Sequence, residues 1–260
     1  MPHLKRYILA MLFAAAMALS ATACSAAADQ EDLNDPLESM NRVFFDFDMF
    51  LDHILLKPAA QVYVAVVPEP GRRSVRHVLD NMNEPIVFAN NLLQGEFHRA
   101  DVTLGRFLLN STFGLAGIFD WATGAGLPKQ DGDFGQTLYV WGFPSGPYLF
   151  LPLLGPTNPR DAIGYGVDSY ADPVGYAFWN AGGLRWAAFT RWGVDVVDGR
   201  SQQLDTLDEL EKNAIDFYAE VRSLSRQRRD IQLRHGEPGP YPKLESLGEP
   251  DTPKAQSAAK

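Results

Sequence analysis

The chain has 260 residues, enough for one large domain or two small ones, and its apolar fraction of 46% is ordinary for a globular protein. Its formal net charge of −9 and the lack of a basic stripe exclude the charge profile of a nucleic-acid-binding protein. A single cysteine excludes an internal disulfide and a cysteine-based metal site.

The first residues have the organisation of a secretory signal peptide. Lys5 and Arg6 precede an apolar run, and small residues then lead to Cys24. The ATA tripeptide before Cys24 resembles the lipobox of bacterial lipoproteins, in which the cysteine is acylated, although that motif prefers Leu three residues before the cysteine. The tripeptide is equally an ordinary A-x-A cleavage site, so simple secretion is the alternative. We predict a signal peptide over 1–23 and a tether over 24–34 lipidated at Cys24, because a lone free thiol is unusual in an exported protein.

Lipidation would decide where the protein resides. Two or three acyl chains, palmitate among them, give stable membrane anchoring where a single chain does not. The serine that follows the cysteine resembles an outer-membrane address of lipoproteins, since Asp at that position often means retention in the inner membrane. We therefore predict an outer-membrane lipoprotein of a Gram-negative cell envelope.

The first predicted helix runs from Asp35 to Leu56. Asp35 fits the N-cap, Pro36 the first helical position, and Glu38 can close a capping box. At 100° per residue, one broad apolar face holds Leu37, Met40, Val43, Phe44, Phe47, Phe50, Leu51, Ile54 and Leu55.

Two apolar residues, Phe45 and Met49, interrupt the polar face of this helix. A helix that is apolar beyond its core stripe needs a second apolar environment, such as lipid, a ligand or a partner. The alternative is a long insertion of the same chain packed over that face.

Further helices follow along the chain. Their predicted spans are 71–81, 85–95, about 99–113, 158–172, 184–197 and about 206–233. In the last of these the acids come early and the arginines late, which suits the helix dipole without requiring a function. Residues 236–260 are rich in Pro, Gly, Ser, Ala and Lys, so we predict a disordered tail.

The longest charge-free run of the mature chain spans 134–159. Its length would suit a membrane span, but four Gly and five Pro exclude a continuous helix, so 147–154 must be extended or irregular. A buried core loop is one interpretation of this run. An aromatic, Pro-rich stretch in a lipid-anchored chain favours the other, an interfacial location in which Tyr148 and Phe150 contact lipid.

No constellation of catalytic residues is apparent. The sequence lacks G-x-S-x-G, H-E-x-x-H and paired C-x-x-C motifs, and its histidines stand apart. Scattered acids such as Asp120, Asp133 and Asp161 are usually caps and salt-bridge partners. We predict no enzyme activity, no cofactor and no metal.

Five separated motifs, in the correct order, resemble the MlaA family, also called VacJ. They are DPLESMNRVFFDFD at 35–48, NMNEP at 81–85, RFLLNSTFGLAGIFD at 106–120, DFGQTL at 133–138 and GPYLFLPLLGPTNPRD at 146–161. One departure is Asp48, where that family usually has Asn.

The resemblance implies a mainly α fold over 35–235. The family forms a ring-like assembly of amphipathic helices in the periplasmic leaflet of the outer membrane, with a Pro/Gly-rich extended loop and few or no strands. In such a ring we expect Phe44 and Phe47 to pack inward, and Phe45 and Met49 to face lipid or the pore.

The resemblance also implies a function and partners. Family members pass phospholipids misplaced in the outer leaflet through an amphipathic pore to the periplasmic carrier MlaC, and they associate with trimeric porins. Lipid asymmetry is thereby maintained. The alternative is a structural lipoprotein that scaffolds porins without passing lipid.

Overall fold

The structure is a computed structural model that describes residues 34–180 and 185–235. The predicted signal peptide, Cys24 with its tether and the tail at 236–260 lie outside the described residues. Within the described ranges the protein is mainly helical with two short strands, which confirms the predicted fold class.

The described ranges contain eleven helices and one small hairpin. In chain order the helices are α1 (Glu38–Leu51), α2 (Lys57–Val66), α3 (Glu69–Leu93), α4 (Phe97–Thr112), α5 (Trp121–Gly124), α6 (Phe134–Val140), α7 (Pro159–Ala171), α8 (Pro173–Asn180), α9 (Arg185–Ser201), α10 (Leu204–Asn213) and α11 (Phe217–Leu233). Strands β1 (Leu149–Leu151) and β2 (Gly155–Thr157) pair antiparallel, with Phe150 opposite Pro156. This hairpin packs against α1 and α11.

Helices α1 and α2 form one continuous helical segment. A five-residue π-helical turn, Asp52–Leu56, joins them, and α2 carries Pro58 in its first turn, where the missing N–H is tolerated. The predicted N-cap is wrong, because α1 begins at Glu38 with no side-chain cap. The Asp35 carboxylate is buried and instead accepts hydrogen bonds from Asn41 and Arg222.

Helix α3 is continuous where the sequence predicts two helices separated near Pro85. A proline inside a helix costs about 3 kcal/mol, because it removes one hydrogen bond and crowds the preceding turn. Here α4 lies along α3 on both sides of Pro85 and holds the two halves in line. The polar contacts between the two helices join Asn81 to Ser111 (3.0 Å), Glu84 to Arg106 (3.0 Å) and Asn91 to Thr103 (3.2 Å).

The predicted single helix over 206–233 is two helices, α10 and α11. Ala214 is extended, and Asp216 caps α11 by accepting a hydrogen bond from the Ala219 N–H at 3.1 Å. The Asp216 carboxylate also accepts two hydrogen bonds from Arg42 of α1. An aspartate that satisfies the backbone from a cap position favours a helix start over helix continuation, which explains the break.

The charge-free run folds as predicted at 147–154, which is not helical. Its first part forms α6, which begins with a capping box between Asp133 and Gln136. The chain then turns through the β1–β2 hairpin, where Gly155 has a φ of 75° that favours glycine. Asn158 caps α7 by accepting a hydrogen bond from the Asp161 N–H at 3.0 Å, as the sequence predicts.

Candidate functional site

The buried and exposed faces of α1 are the reverse of the predicted ones. Phe45, on the polar face, is buried (5% exposed) in a small core where its ring contacts those of Phe150 and Tyr218, each at 5.5 Å between centroids. Met49 packs half-buried against the same core. The prediction that Phe45 and Met49 face lipid or a pore is therefore wrong for Phe45, whose side chain the core encloses.

The predicted apolar face of α1 is turned outward. Phe47, predicted to pack inward, is 47% exposed, and Val43 and Phe50 are 64% and 59% exposed. Phe44 is half-buried against the edge of the core, so its predicted packing is only partial. Helical periodicity located this stripe correctly, but the stripe covers no other part of the described protein.

Polar groups on the inner face of α1 explain the inversion. The Asn41 side chain is fully buried, accepts from the Phe150 N–H at 2.9 Å and donates to the Tyr148 carbonyl at 3.2 Å. Two helical turns further along α1, the Asp48 carboxylate accepts a hydrogen bond from the Leu153 N–H at 3.1 Å. The Asn41 bonds satisfy buried hairpin backbone groups, the Asp48 bond joins an exposed one, and together they hold the hairpin against this face.

Tyr148 and Phe150 are consequently core residues. They are 5% and 3% exposed, because Asn41 holds the β1 backbone close to α1 and their rings fill the space around Phe45. The prediction that these two residues contact lipid is corrected by this burial. The hairpin supports α1 from inside.

The outward apolar stripe of α1 continues over the π-helical turn and α2. We call it the α1–α2 surface; it comprises Val43, Phe47, Phe50, Ile54, Leu55, Val62 and Val66, all exposed. Among the described residues, the 29-residue segment Glu38–Val66 is long and apolar enough to cross a membrane by length and composition, with a mean hydropathy of 1.2. Only 11% of its most apolar part is buried, so the protein itself does not cover it.

A second exposed apolar element is the loop between α4 and α5, here called the 113–121 loop. Phe113, Leu115 and Trp121 are 70%, 61% and 59% exposed. Leu115 and Ala116 adopt left-handed φ values of 51° and 59°, which are strained for residues other than glycine. A strained loop that presents large apolar side chains indicates a functional surface.

Outside the small aromatic core around Phe45, much of the interior of the described protein is polar. The largest fully buried side chains are those of Gln136, Asn41, Asn91, Thr103 and Thr137. A protein surrounded by water normally buries its apolar side chains and exposes polar ones. Exposed apolar stripes around a polar interior are the distribution expected when the outer surface meets an apolar phase.

One buried charge network lies between α3, α4 and α5. The Arg106 guanidinium donates to Glu84 at 3.0 Å and to Asp120 at 3.3 Å, and both Arg106 and Glu84 are 3% exposed. Burial raises the pKa of Glu84 despite the Arg106 charge. Burial alone would also raise the pKa of Asp120, but hydrogen bonds from Thr123 and Asn110 and the charge of Arg106 lower it to about 2.

A second network joins the distant helices α6, α7 and α11. The Arg229 guanidinium donates to the Asp133 carboxylate at 2.7 and 2.8 Å and to the Asp161 carboxylate at 2.8 Å. Sequence reasoning correctly expected the two acids to be caps and ion-pair partners. It did not identify Arg229 as their partner, and interpreted the late arginines of α11 as suiting the helix dipole or docking an acidic partner, because Asp133 and Asp161 lie 96 and 68 residues away.

Two cavities adjoin this interior. The first, the α2–α9 cavity, has a volume of about 400 Å³ and is lined by Tyr63, Thr190, Gly193, Val194 and Val197. Its lining is apolar apart from two hydroxyls, and one of them, on Tyr63, donates to buried Asp198 at 3.0 Å. Asp198 does not line the cavity, and the Tyr63 hydroxyl connects the apolar lining to this charged group.

The second cavity lies between α3, the 128–133 segment and the end of α11, and we call it the α3–α11 cavity. Its volume is about 170 Å³, and its lining is mainly polar and acidic. The lining residues are Asp80, Asn83, Glu84, Val87, Lys129, Gln130, Asp131, Gly132, Asp133, Gln136 and Gln232. Within the ranges that the structure describes, no group of three or more His, Cys, Asp or Glu could hold a metal ion.

Comparison with known proteins gives one consistent result. The family model described as MlaA lipoprotein matches residues 33–232. The intermembrane phospholipid transport system lipoprotein MlaA of Haemophilus influenzae is 33% identical over 232 residues, which cover 87% of this chain and 91% of that protein. The protein of the same name from Escherichia coli strain K12 is 32% identical over 218 residues, covering 82% and 84%.

A solved structure, described as the structural basis for maintenance of bacterial outer membrane lipid asymmetry, has the same fold. The TM-score is 0.67 and the sequence identity is 32%. The match covers 76% of this chain and 98% of the solved one.

Proposed function

Since the chain belongs to the MlaA lipoprotein family, we propose that it removes mislocalised phospholipids from the outer leaflet of the outer membrane and thereby maintains lipid asymmetry. In this proposal it is a lipoprotein of the periplasmic leaflet, not an enzyme, and it passes phospholipid to a periplasmic carrier of the MlaC type. The observation that carries the proposal is the exposed α1–α2 surface around a polar interior.

Membrane insertion follows from the energy of this surface. Each exposed Val, Leu, Ile or Phe side chain gains about 1.5–3 kcal/mol when it leaves water for an apolar phase. We propose that Phe47 and the exposed parts of Phe44 and Met49 contact lipid, together with the rest of the α1–α2 surface. The buried polar groups of α1 are satisfied by protein, so insertion leaves none of these groups in hydrocarbon.

The start of the described chain limits how far the predicted lipid anchor can be from α1. The Asn34 carbonyl accepts from the Tyr148 N–H at 2.9 Å, and its side chain donates to the Gly146 carbonyl at 3.0 Å. The predicted tether that begins at Cys24 therefore ends, at Asn34, beside the hairpin behind α1. Ten residues reach at most about 35 Å, so an acylated Cys24 stays within about one bilayer thickness of α1.

A route for phospholipid must cover the acyl chains and keep the headgroup wet. Exposing two chains of about 15 carbons to water would cost roughly 24 kcal/mol at ~0.8 kcal/mol per CH₂. The α2–α9 cavity offers an apolar wall beside Asp198 and its partner Arg76, which lies 3.5 Å away. We therefore assign the passage to this cavity in a ring-like arrangement of the helices.

The test is a deletion strain complemented with the chain. We expect deletion to raise the amount of phospholipid in the outer leaflet and to sensitise cells to detergent with EDTA, and we expect the chain to restore both. An unchanged outer leaflet in the deletion strain would contradict the proposal.

A structural lipoprotein that stabilises trimeric porins is the second candidate. The exposed 113–121 loop favours a protein-protein contact of this kind, since strained loops with large apolar side chains suit recognition. A variant with the α2–α9 cavity filled but porin binding intact separates the candidates. Scaffolding predicts normal lipid asymmetry in that strain, whereas transport predicts its loss.

A further inference from the structure

The α3–α11 cavity contains a buried acceptor without a donor. Glu84 lines this cavity, is 3% exposed and uses only its Oε1 atom to bind Arg106. Its Oε2 atom is buried and has no hydrogen-bond partner. Leaving a buried carboxylate oxygen unsatisfied costs about 1–3 kcal/mol or more, so a site that tolerates it is ready to accept a donor.

A second buried acceptor without a donor lies behind a lining residue, on the fully buried Asn91, which does not itself line the cavity. The Asn91 Oδ1 atom is buried without a partner, and a Cβ atom added at Gly132, which lines the cavity, would lie 3.1 Å from it. Both unsatisfied atoms are acceptors. The ligand that completes this site must therefore bring donors.

The charge of the surroundings favours a cationic donor. Arg106 is shared by the carboxylates of Glu84 and Asp120, so this buried group carries one excess negative charge. Asp80, Asp131 and Asp133 add carboxylates to the lining; Asp80 pairs with Lys129 of the lining, and Asp133 pairs with Arg229 of α11.

Size and rim chemistry narrow the ligand class. A volume of about 170 Å³ holds a small polar group, but not an acyl chain or a second helix. The Lys129 Nζ atom, which lies 2.7 Å from the Asp80 carboxylate, is half-exposed at the rim. An ammonium nitrogen inside and a phosphate beside Lys129 would match this arrangement of charges.

We propose that the α3–α11 cavity binds a primary ammonium group attached to a phosphate, with Glu84 as the principal acceptor. The aminoethyl phosphate headgroup of phosphatidylethanolamine and free phosphoethanolamine share this chemistry. Two motifs that the lipid passage does not use, NMNEP at 81–85 and DFGQTL at 133–138, supply four residues of the lining. If the ligand is the lipid headgroup, the inference rests on the proposed function, and phosphatidylethanolamine is then the preferred phospholipid.

The experiment measures binding to the purified full chain in detergent. The probes are phosphatidylethanolamine and phosphatidylglycerol with identical acyl chains, and soluble phosphoethanolamine. We expect phosphatidylethanolamine to bind about tenfold more tightly than phosphatidylglycerol, the factor that one charge-assisted hydrogen bond provides. Displacement of the lipid by phosphoethanolamine assigns the contact to the headgroup, and binding of phosphoethanolamine without lipid discrimination assigns the site to the free compound.

Three variants make the result specific to this cavity. Glu84→Gln should remove the preference for phosphatidylethanolamine over phosphatidylglycerol. Asp80→Asn at the rim should weaken this preference, and it provides the test if the buried Glu84 variant folds poorly. Asp101→Asn, an exposed acid of α4 outside the lining, is the matched control and should bind like the wild-type chain.

Equal binding of both lipids together with no binding of phosphoethanolamine would overturn the inference. An unchanged preference in both cavity variants would overturn it as well. Either result leaves the proposed function standing if the chain still restores lipid asymmetry in cells, so the two failures are distinguishable.

Discussion

The Asp52 carboxylate accepts two hydrogen bonds from the Arg200 guanidinium, at 2.6 and 2.8 Å, across 148 residues of sequence. Asp52 begins the π-helical turn between α1 and α2, and Arg200 lies at the end of α9. Both side chains are about nine-tenths buried. This pair therefore fixes the α1–α2 segment to α9, the helix on the other side of the α2–α9 cavity.

Breaking this pair should destabilise the protein strongly. Removing one partner of a buried ion pair leaves an uncompensated charge, so we expect Asp52→Ala to lower the free energy of unfolding by about 3–5 kcal/mol. Thermal unfolding of the purified protein in detergent measures this. Arg73→Ala, in an exposed pair with Glu69, should change the stability by less than about 1 kcal/mol. A comparable loss in both variants would contradict the structural role of Asp52.

The two faces of α1 should respond differently to truncation. Phe45→Ala opens a cavity in the core, so we expect a loss of about 3–5 kcal/mol in the free energy of unfolding. Phe47→Ala removes an outward side chain and should leave that free energy nearly unchanged while weakening flotation of the non-acylated chain with vesicles. Equal destabilisation by the two substitutions would refute the face assignment.

Filling the α2–α9 cavity should block lipid passage. A Cβ at Gly193 would meet no atom within 4 Å, so Gly193→Leu places its side chain at the cavity without a backbone clash. Gly199→Leu is the matched control, since Gly199 lies on the same helix, has the same free space and does not line the cavity. We expect only Gly193→Leu to fail in restoring resistance to detergent with EDTA. Full restoration by that variant would place the passage elsewhere.

Stability should fall in acid because of Asp120. Its pKa is lowered to about 2 in the folded state, whereas an unfolded aspartate titrates near pH ~3.9. A lowered pKa contributes stability that is present above pH ~3.9 and lost as the pH falls toward 2. Thermal unfolding measured from pH 5 to pH 2 should decline less steeply in Asp120→Asn, which keeps a capping side chain. An identical decline in the variant would show that other groups cause the effect.

Acylation of Cys24 should retain the protein in the membrane fraction. Without the acyl chains only the proposed lipid contacts of the protein surface remain, so we expect Cys24→Ser to shift a substantial part of the protein into the periplasmic fraction of a detergent-free lysate. A globomycin-insensitive wild-type precursor and unchanged fractionation of the variant would argue for simple secretion.

Local features of the fold were predictable, but contacts between distant segments were not. The helical period over 35–56 and the Pro/Gly content of 147–154 correctly indicated a long helix and an extended segment. Periodicity identifies an apolar stripe without identifying the phase that covers it, so it could not reveal that Phe47 faces outward. The sequence predicted Asp133 only in general terms as a cap or salt-bridge partner, and its capping box with Gln136 and its ion pair with Arg229 came from the structure.

Tertiary contacts also overrode local signals at two places. Pro85 is a strong helix breaker in isolation, yet the contacts of α3 with α4 outweigh its cost. Conversely, Asp216 interrupts a good amphipathic pattern. Its carboxylate accepts hydrogen bonds from the Ala219 N–H at the start of α11 and from Arg42 of α1, and these contacts favour a helix start at this position. Neither outcome follows from residue propensities, which describe a segment without its neighbours.

The outward side chains of α1 and α2 also govern the protein's behaviour before it reaches a bilayer. An exported chain that carries Val43, Phe50 and Leu55 on its outside is poorly soluble in an aqueous compartment, although its interior is fully folded. We expect such a chain to self-associate in transit unless a chaperone escorts it. Light scattering after rapid dilution from detergent should show assemblies that disappear when vesicles are present, and a stable clear monomer would refute this expectation.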